Sequence, residues 1–100
     1  MRLNGMTAVV TGGASGMGES MVYALAKEGA SIVVVDRNAD GANTVATNVD
    51  SQGGKAICVK ADVQSIEDLD AMANKAMDTF GGINILVNNA GARVIKGLSL

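Results

Sequence analysis

The sequence has no histidine and no proline, and only one cysteine and one tyrosine. Zinc sites draw mainly on histidine nitrogens and cysteine thiolates, so a lone Cys58 without histidine argues against a zinc site. Cys58 sits in the apolar run "KAICVK" and reads as a small buried hydrophobe, not a nucleophile or half of a disulfide. Uninterrupted apolar runs last only a few residues, far short of the ~20 needed to span a bilayer. The N-terminal "MRLNGMTAVV" has no long apolar core, so it is not a signal peptide. A net charge of −2 offers no basic footprint for nucleic acid. The expectation is a cytoplasmic chain with no metal, no membrane and no nucleic-acid partner.

What is present describes a globular chain. Of 100 residues, 48% are apolar and 18% charged, a balance that favours dense secondary structure over disorder. Four apolar runs, Met6–Thr11, Ser31–Asp36, Lys55–Lys60 and Ile85–Asn88, show little polar alternation, as strands buried on both faces of a parallel sheet do. Helical spacing fills the gaps. Met17, Met21, Ala24 and Leu25 form the expected stripe of a first helix ending at Gly29. Val45, Ala46 and Val49 mark a second, closed by Gly53 and Gly54. Ile66, Leu69, Met72, Ala73, Ala76 and Phe80 mark a third, with Ser65 as N-cap, Asp68 at the capping-box position and Gly81–Gly82 as the stop.

The order β-α-β-α-β-α-β predicts an α/β fold: a partial, Rossmann-like, doubly wound parallel sheet with right-handed crossovers. No linker or second domain interrupts it, so residues 1–100 read as the N-terminal part of one dinucleotide-binding domain. The fourth strand would be interior in a complete doubly wound sheet, and here it would leave an apolar edge. The expectation is half a fold, with the catalytic half beyond Leu100.

The first strand runs into "TGGASGMG", residues 11–18, and then into the first helix. Glycines at 12, 16 and 18 suit a tight turn where the backbone approaches a ligand closely. The helix behind them offers unpaired N–H groups and about half a positive charge, a site for a pyrophosphate. An ordinary glycine-rich turn is the plainer alternative; the strand before and the helix after favour the anion site. Asp36 closes the second strand 18 residues after Gly18. A carboxylate there accepts from both ribose hydroxyls of an adenosine. It also repels a 2′-phosphate by roughly 1–4 kcal/mol per unit charge at ~4 Å. NAD is therefore expected ahead of NADP, although Arg37 next door is able to pair with a phosphate.

These residues resemble the short-chain dehydrogenase/reductase family. "TGGASGMG" is similar to its Thr-Gly-x-x-x-Gly-x-Gly loop, "NNAG" (88–91) to its Asn-Asn-Ala-Gly motif, and "ADV" (61–63) to the segment that holds adenine. The resemblance spans essentially the whole chain. It implies that Gly12, Ser15, Gly16, Met17 and Gly18 wrap the pyrophosphate and adjacent ribose, while Asp36, with Arg37 beside it, selects the adenosine ribose. It further implies that Asp62 and Val63 hold the adenine, and that Asn89, Ala90 and Gly91 line the cofactor. Thr11 would tie that last loop to the first turn, and Asn88 would brace the sheet. A full-length form would move a hydride between NAD(H) and an alcohol or carbonyl, and assemble as a homo-oligomer.

Tyr23 and Lys27 imitate the family's catalytic Tyr-x-x-x-Lys, but the family carries that pair on a helix after a fifth strand. Tyr23 lies on the first helix, expected to face solvent and far from a nicotinamide. No catalytic residue is therefore assigned within the chain, and activity of the chain alone is left open. Two other readings stay open: a non-catalytic nucleotide-binding or interaction module, and an NADP enzyme. A methyltransferase also sets a glycine loop and a strand-end acid around an adenosine, but "NNAG" and the 12/16/18 glycine spacing argue against it.

Overall fold

The computed structural model describes residues 2–89. Four strands, β1 (Thr7–Thr11), β2 (Ser31–Asp36), β3 (Lys55–Lys60) and β4 (Ile85–Asn88), alternate with three helices, α1 (Gly16–Lys27), α2 (Ala39–Ser51) and α3 (Ile66–Phe80). All strand pairings are parallel, in the order β3-β2-β1-β4. The first strand starts at Thr7, one residue later than its apolar run, and the other three coincide with theirs.

The absence of alternation in the strands follows from helices on both faces. Ala8, Val10, Ile32 and Val34 face α1 and α2, where they meet Val22, Ala42, Val45, Ala46 and Val49. Val9, Val33 and Val35 face the opposite way and pack with Met72 and Ala76 of α3. The four residues Ile32–Val35 on β2 are each 0% exposed. Burying each such side chain contributes about 1.5–3 kcal/mol relative to leaving it in water. The centre of the sheet, β1 and β2, is thus the most heavily buried part of the molecule.

Three expectations need correction. The buried face of α1 is Gly18 and Val22, with Tyr23, Leu25 and Ala26 partly buried against the core. Met17 is instead 72% exposed and Ala24 is also exposed. Gly18 lies against the Gly12 carbonyl in the turn after β1, a contact that holds this face of the helix inward despite the apolar pull of Met17. On α3, Ile66, the first helical residue, is 76% exposed and lies outside the core that Met72 and Ala76 join. Cys58 is only half-buried: its strand β3 lies at the sheet edge, and its thiol contacts Asn43 Oδ1 at 3.8 Å. At the other edge, β4 leaves Leu86 63% exposed.

Candidate functional site

The carboxyl ends of the four parallel strands face the same way, so the turns that follow them gather at one end of the sheet. The turn after β1 is built by glycine. Gly12 and Gly16 have φ of 64° and 58°, in the left-handed region that side chains avoid. At Gly18 a Cβ would collide with the Gly12 carbonyl oxygen and lie 2.7 Å from the Asn89 side-chain nitrogen. The backbone of the turn and the first turn of α1 therefore touch, and no larger residue fits between them. Gly13, which the motif reading passed over, is nearly as confined, with Val34 2.9 Å from any added Cβ.

Ser15 occupies the N-cap position of α1 but makes no side-chain cap. The other two helices are closed by side chains: Asn38 accepts from the Gly41 N–H at 3.0 Å, and Ser65 accepts from the Asp68 N–H at 3.2 Å. The first-turn N–H groups of α1 thus keep their partial positive charge pointed out of the sheet.

Asp36 stands beside this turn. Its Oδ2 accepts from the Ala14 N–H at 3.1 Å and its Oδ1 from the Asn38 N–H at 2.9 Å. The carboxylate ties the glycine turn to the start of α2. A carboxylate has about four acceptor positions, so capacity remains for two hydroxyl donors. Arg37 follows it, exposed.

The turn after β3 is braced by a second carboxylate. Asp68 was expected to complete a capping box with Ser65; its Oδ2 instead accepts from the Asp62 N–H at 2.8 Å. The Ser65 N–H goes to the Asp62 carbonyl at 2.9 Å, so only half of the box forms. Asp62 Oδ1 accepts from the Gln64 N–H at 2.9 Å, a local turn that holds Asp62 and the half-buried Val63 at the end of the strand. Backbone joins the two regions, with the Ala61 N–H donating to the Asp36 carbonyl at 3.1 Å.

Thr11 links β1 to the loop after β4. Its hydroxyl oxygen accepts from the Asn89 N–H at 2.9 Å, and its proton is shared between the Val87 carbonyl and Asn88 Oδ1, both at 3.2 Å. Asn89 also reaches the Gly12 carbonyl at 3.5 Å. Gly12, Ser15, Gly16, Met17, Gly18, Asp36, Arg37, Asp62, Val63 and Asn89 therefore lie on the turns at one end of the sheet, while Ala90 and Gly91 lie outside the described residues. Sequence reasoning missed the contributions of Ala14, Asn38 and Asp68. Asn38 carried a readable signal, an asparagine placed just before a helical stretch. Ala14 carried none, because it acts through its backbone.

Tyr23 lies elsewhere. Its ring is partly buried against the core while its hydroxyl sits at the surface, donating to Glu19 Oε2 at 2.9 Å and accepting from Asn48 Nδ2 at 3.0 Å. The Asn48 donor lowers the phenol's pKa, but burial, the hydrogen bond to Glu19 and the charge of Glu19 outweigh it and hold the group above 10.0. A general acid at neutral pH needs the opposite shift. A groove of about 770 Å³ lies at the far end of the sheet, lined by Tyr23, Lys27 and Lys55 among others, and includes none of the strand-end residues above. The turns form an open ledge, so the groove does not mark the site. Among the described residues no cluster of three potential metal-binding side chains occurs, and no helix is long and apolar enough to cross a membrane.

These features suit an extended ligand with an anionic centre. The close Gly12–Gly18 approach puts the uncapped end of α1 next to the spare acceptor positions of Asp36. Comparison with known proteins is consistent with this. A family model described as short chain dehydrogenase matches residues 6–99. The 7alpha-hydroxysteroid dehydrogenase of Escherichia coli (strain K12) is 42% identical over 91 residues, which is 91% of this chain and 36% of the relative. A crystal structure of hydroxysteroid dehydrogenase from Escherichia coli superimposes with a TM-score of 0.87 at 42% identity, covering 90% of this chain and 38% of that one. A 7 alpha-hydroxysteroid dehydrogenase complexed with NADH and 7-oxo glycochenodeoxycholic acid matches with a TM-score of 0.84 at 40% identity, covering 87% of this chain and 34% of that one. The chain thus spans little more than a third of the length of these proteins, and its sheet and helices are the α/β, Rossmann-like arrangement of theirs.

Proposed function

The chain belongs to the short chain dehydrogenase family, and from that membership we propose that it is the NAD-binding portion of an oxidoreductase. In this reading the backbone of Gly12–Gly18 and the N-terminus of α1 hold the pyrophosphate, with Met17 presented beside it. Asp36 takes the adenosine ribose, Asp62 and Val63 take the adenine, and Asn89, Ala90 and Gly91 line the remainder. The bound nicotinamide supplies hydride transfer; the residues of this chain bind and orient it.

The observation that carries the proposal is the double tether of Asp36. It fixes a negative charge against the glycine turn, with two acceptor positions left over. A ribose diol satisfies those positions, whereas a 2′-phosphate brings like charge against them. Arg37, which follows Asp36, opposes this preference. The whole enzyme, in the same proposal, acts on an alcohol or carbonyl. The bile-acid complex of its relative makes hydroxysteroids the first class to screen.

The test is a fluorescence titration with NADH and NADPH. NADH is expected to bind more tightly, and Asp36→Ala should narrow the gap by about tenfold. Equal affinities in the unmutated chain would overturn the assignment of Asp36.

A further inference from the structure

The one tyrosine takes no part in the proposed chemistry, yet its hydroxyl bonds both to Glu19 on its own helix and to Asn48 on α2. Its two partners are unequal. Asn48 is a neutral residue on α2, but Glu19 carries a full negative charge in the first turn of α1. Glu19 directly follows Gly18, at the helix end where the pyrophosphate is proposed to sit. A carboxylate there has two places to go. It is drawn to the N–H groups of its own helix end, where it would compete with a bound phosphate. Alternatively it turns along the helix, and the structure has it turned: Glu19 Oε2 accepts from the Tyr23 hydroxyl, four residues and roughly 6 Å further along the axis. Asn48 Nδ2 donates to the same hydroxyl, which leaves the phenol proton aimed at Glu19 and not at a neighbour on α2.

We propose that Tyr23 is a positioning residue for the dinucleotide site: it holds the Glu19 carboxylate back from the open end of α1 so that the pyrophosphate binds there without a competing charge. The inference rests on the dinucleotide reading above. Tyr23 touches no part of the ligand and acts only through Glu19. Its effect is therefore electrostatic, dependent on salt and absent once Glu19 is neutral. A purely structural tie between α1 and α2 would have none of these properties.

A double-mutant cycle read by NADH titration separates the cases. Tyr23→Phe should weaken NADH binding about five- to tenfold at low salt, the effect of freeing one unit charge near the phosphates. At about 0.5 M salt the loss should shrink below about twofold. Glu19→Gln should bind NADH at least as tightly as the unmutated chain, and adding Tyr23→Phe to it should change nothing further. Circular dichroism melts of all four proteins show whether folding is intact. Part of the melting loss from Tyr23→Phe should persist in the Glu19→Gln background, through the lost bond to Asn48, although the binding loss vanishes there. If Tyr23→Phe weakens binding equally with and without Glu19→Gln, or not at all at low salt, the inference is overturned while the dinucleotide reading stands. If the unmutated chain does not bind NADH, the dinucleotide reading fails and takes the inference with it.

Discussion

The N-termini of the three helices differ in one respect. At α2 and α3 a side chain, Asn38 or Ser65, turns back to satisfy a first-turn N–H. At α1 the N-cap position holds a serine that makes no such bond, although serine is among the best capping residues. The chain therefore has the means to close α1 and leaves it open. An unmade cap costs stability of about 0.5–2 kcal/mol. What α1 has in place of a cap is a glycine turn pressed against the helix, and in the proposed reading the ligand's charge would complete the helix end. Closed ends stabilise the fold, and the open end is where the proposed ligand enters.

The strongest way to break this comparison is to fill the turn. Gly18→Ala places a methyl group against the Gly12 carbonyl and the Asn89 side chain. The backbone oxygen cannot rotate away, so α1 must shift off β1. We expect a loss of about 1–3 kcal/mol, seen as a lower urea midpoint, together with loss of NADH binding. A melting curve like that of the unmutated chain would show that the turn is looser than described.

A gentler test sharpens it. Asn38→Ala and Ser65→Ala should each lower stability by about 1 kcal/mol, through the lost bonds to Gly41 and Asp68. Ser15→Ala should change stability by no more than a few tenths of a kcal/mol, because no capping bond is there to lose. Equal losses at all three positions in urea unfolding would erase the distinction between the open and closed ends.

How far the sequence foretold this depends on which force acts at each residue. The strands were legible because Ile32–Val35 are buried by sheer apolarity, and unbroken apolar runs state that directly. The glycine loop was legible because positive φ at Gly12 and Gly16 and the close contact at Gly18 demand residues without a side chain. The rotation of α1 was not. Met17 and Met21 outweigh Gly18 on any scale of hydrophobicity, yet a backbone contact at Gly18 decides which face is buried. Ile66 misled for a related reason: periodicity says which side of α3 a residue occupies, not how far along the helix the sheet still reaches. The Ala14 and Asp62 N–H groups that receive carboxylates are backbone and leave no mark in the sequence. Helical spacing set Tyr23 away from the apolar stripe of α1, but it does not tell that the hydroxyl would meet Glu19 and Asn48.

The most direct test of an open helix end is to watch all three ends while the cofactor is added. In a nitrogen–proton correlation spectrum titrated with NADH, the amides of Gly16, Met17, Gly18 and Glu19 should show the largest shifts. The first-turn amides of α2 and α3, already held by Asn38 and Ser65, should move much less. If the amides of α1 stay still, or the capped turns move as far, the open end of α1 is not where the pyrophosphate binds.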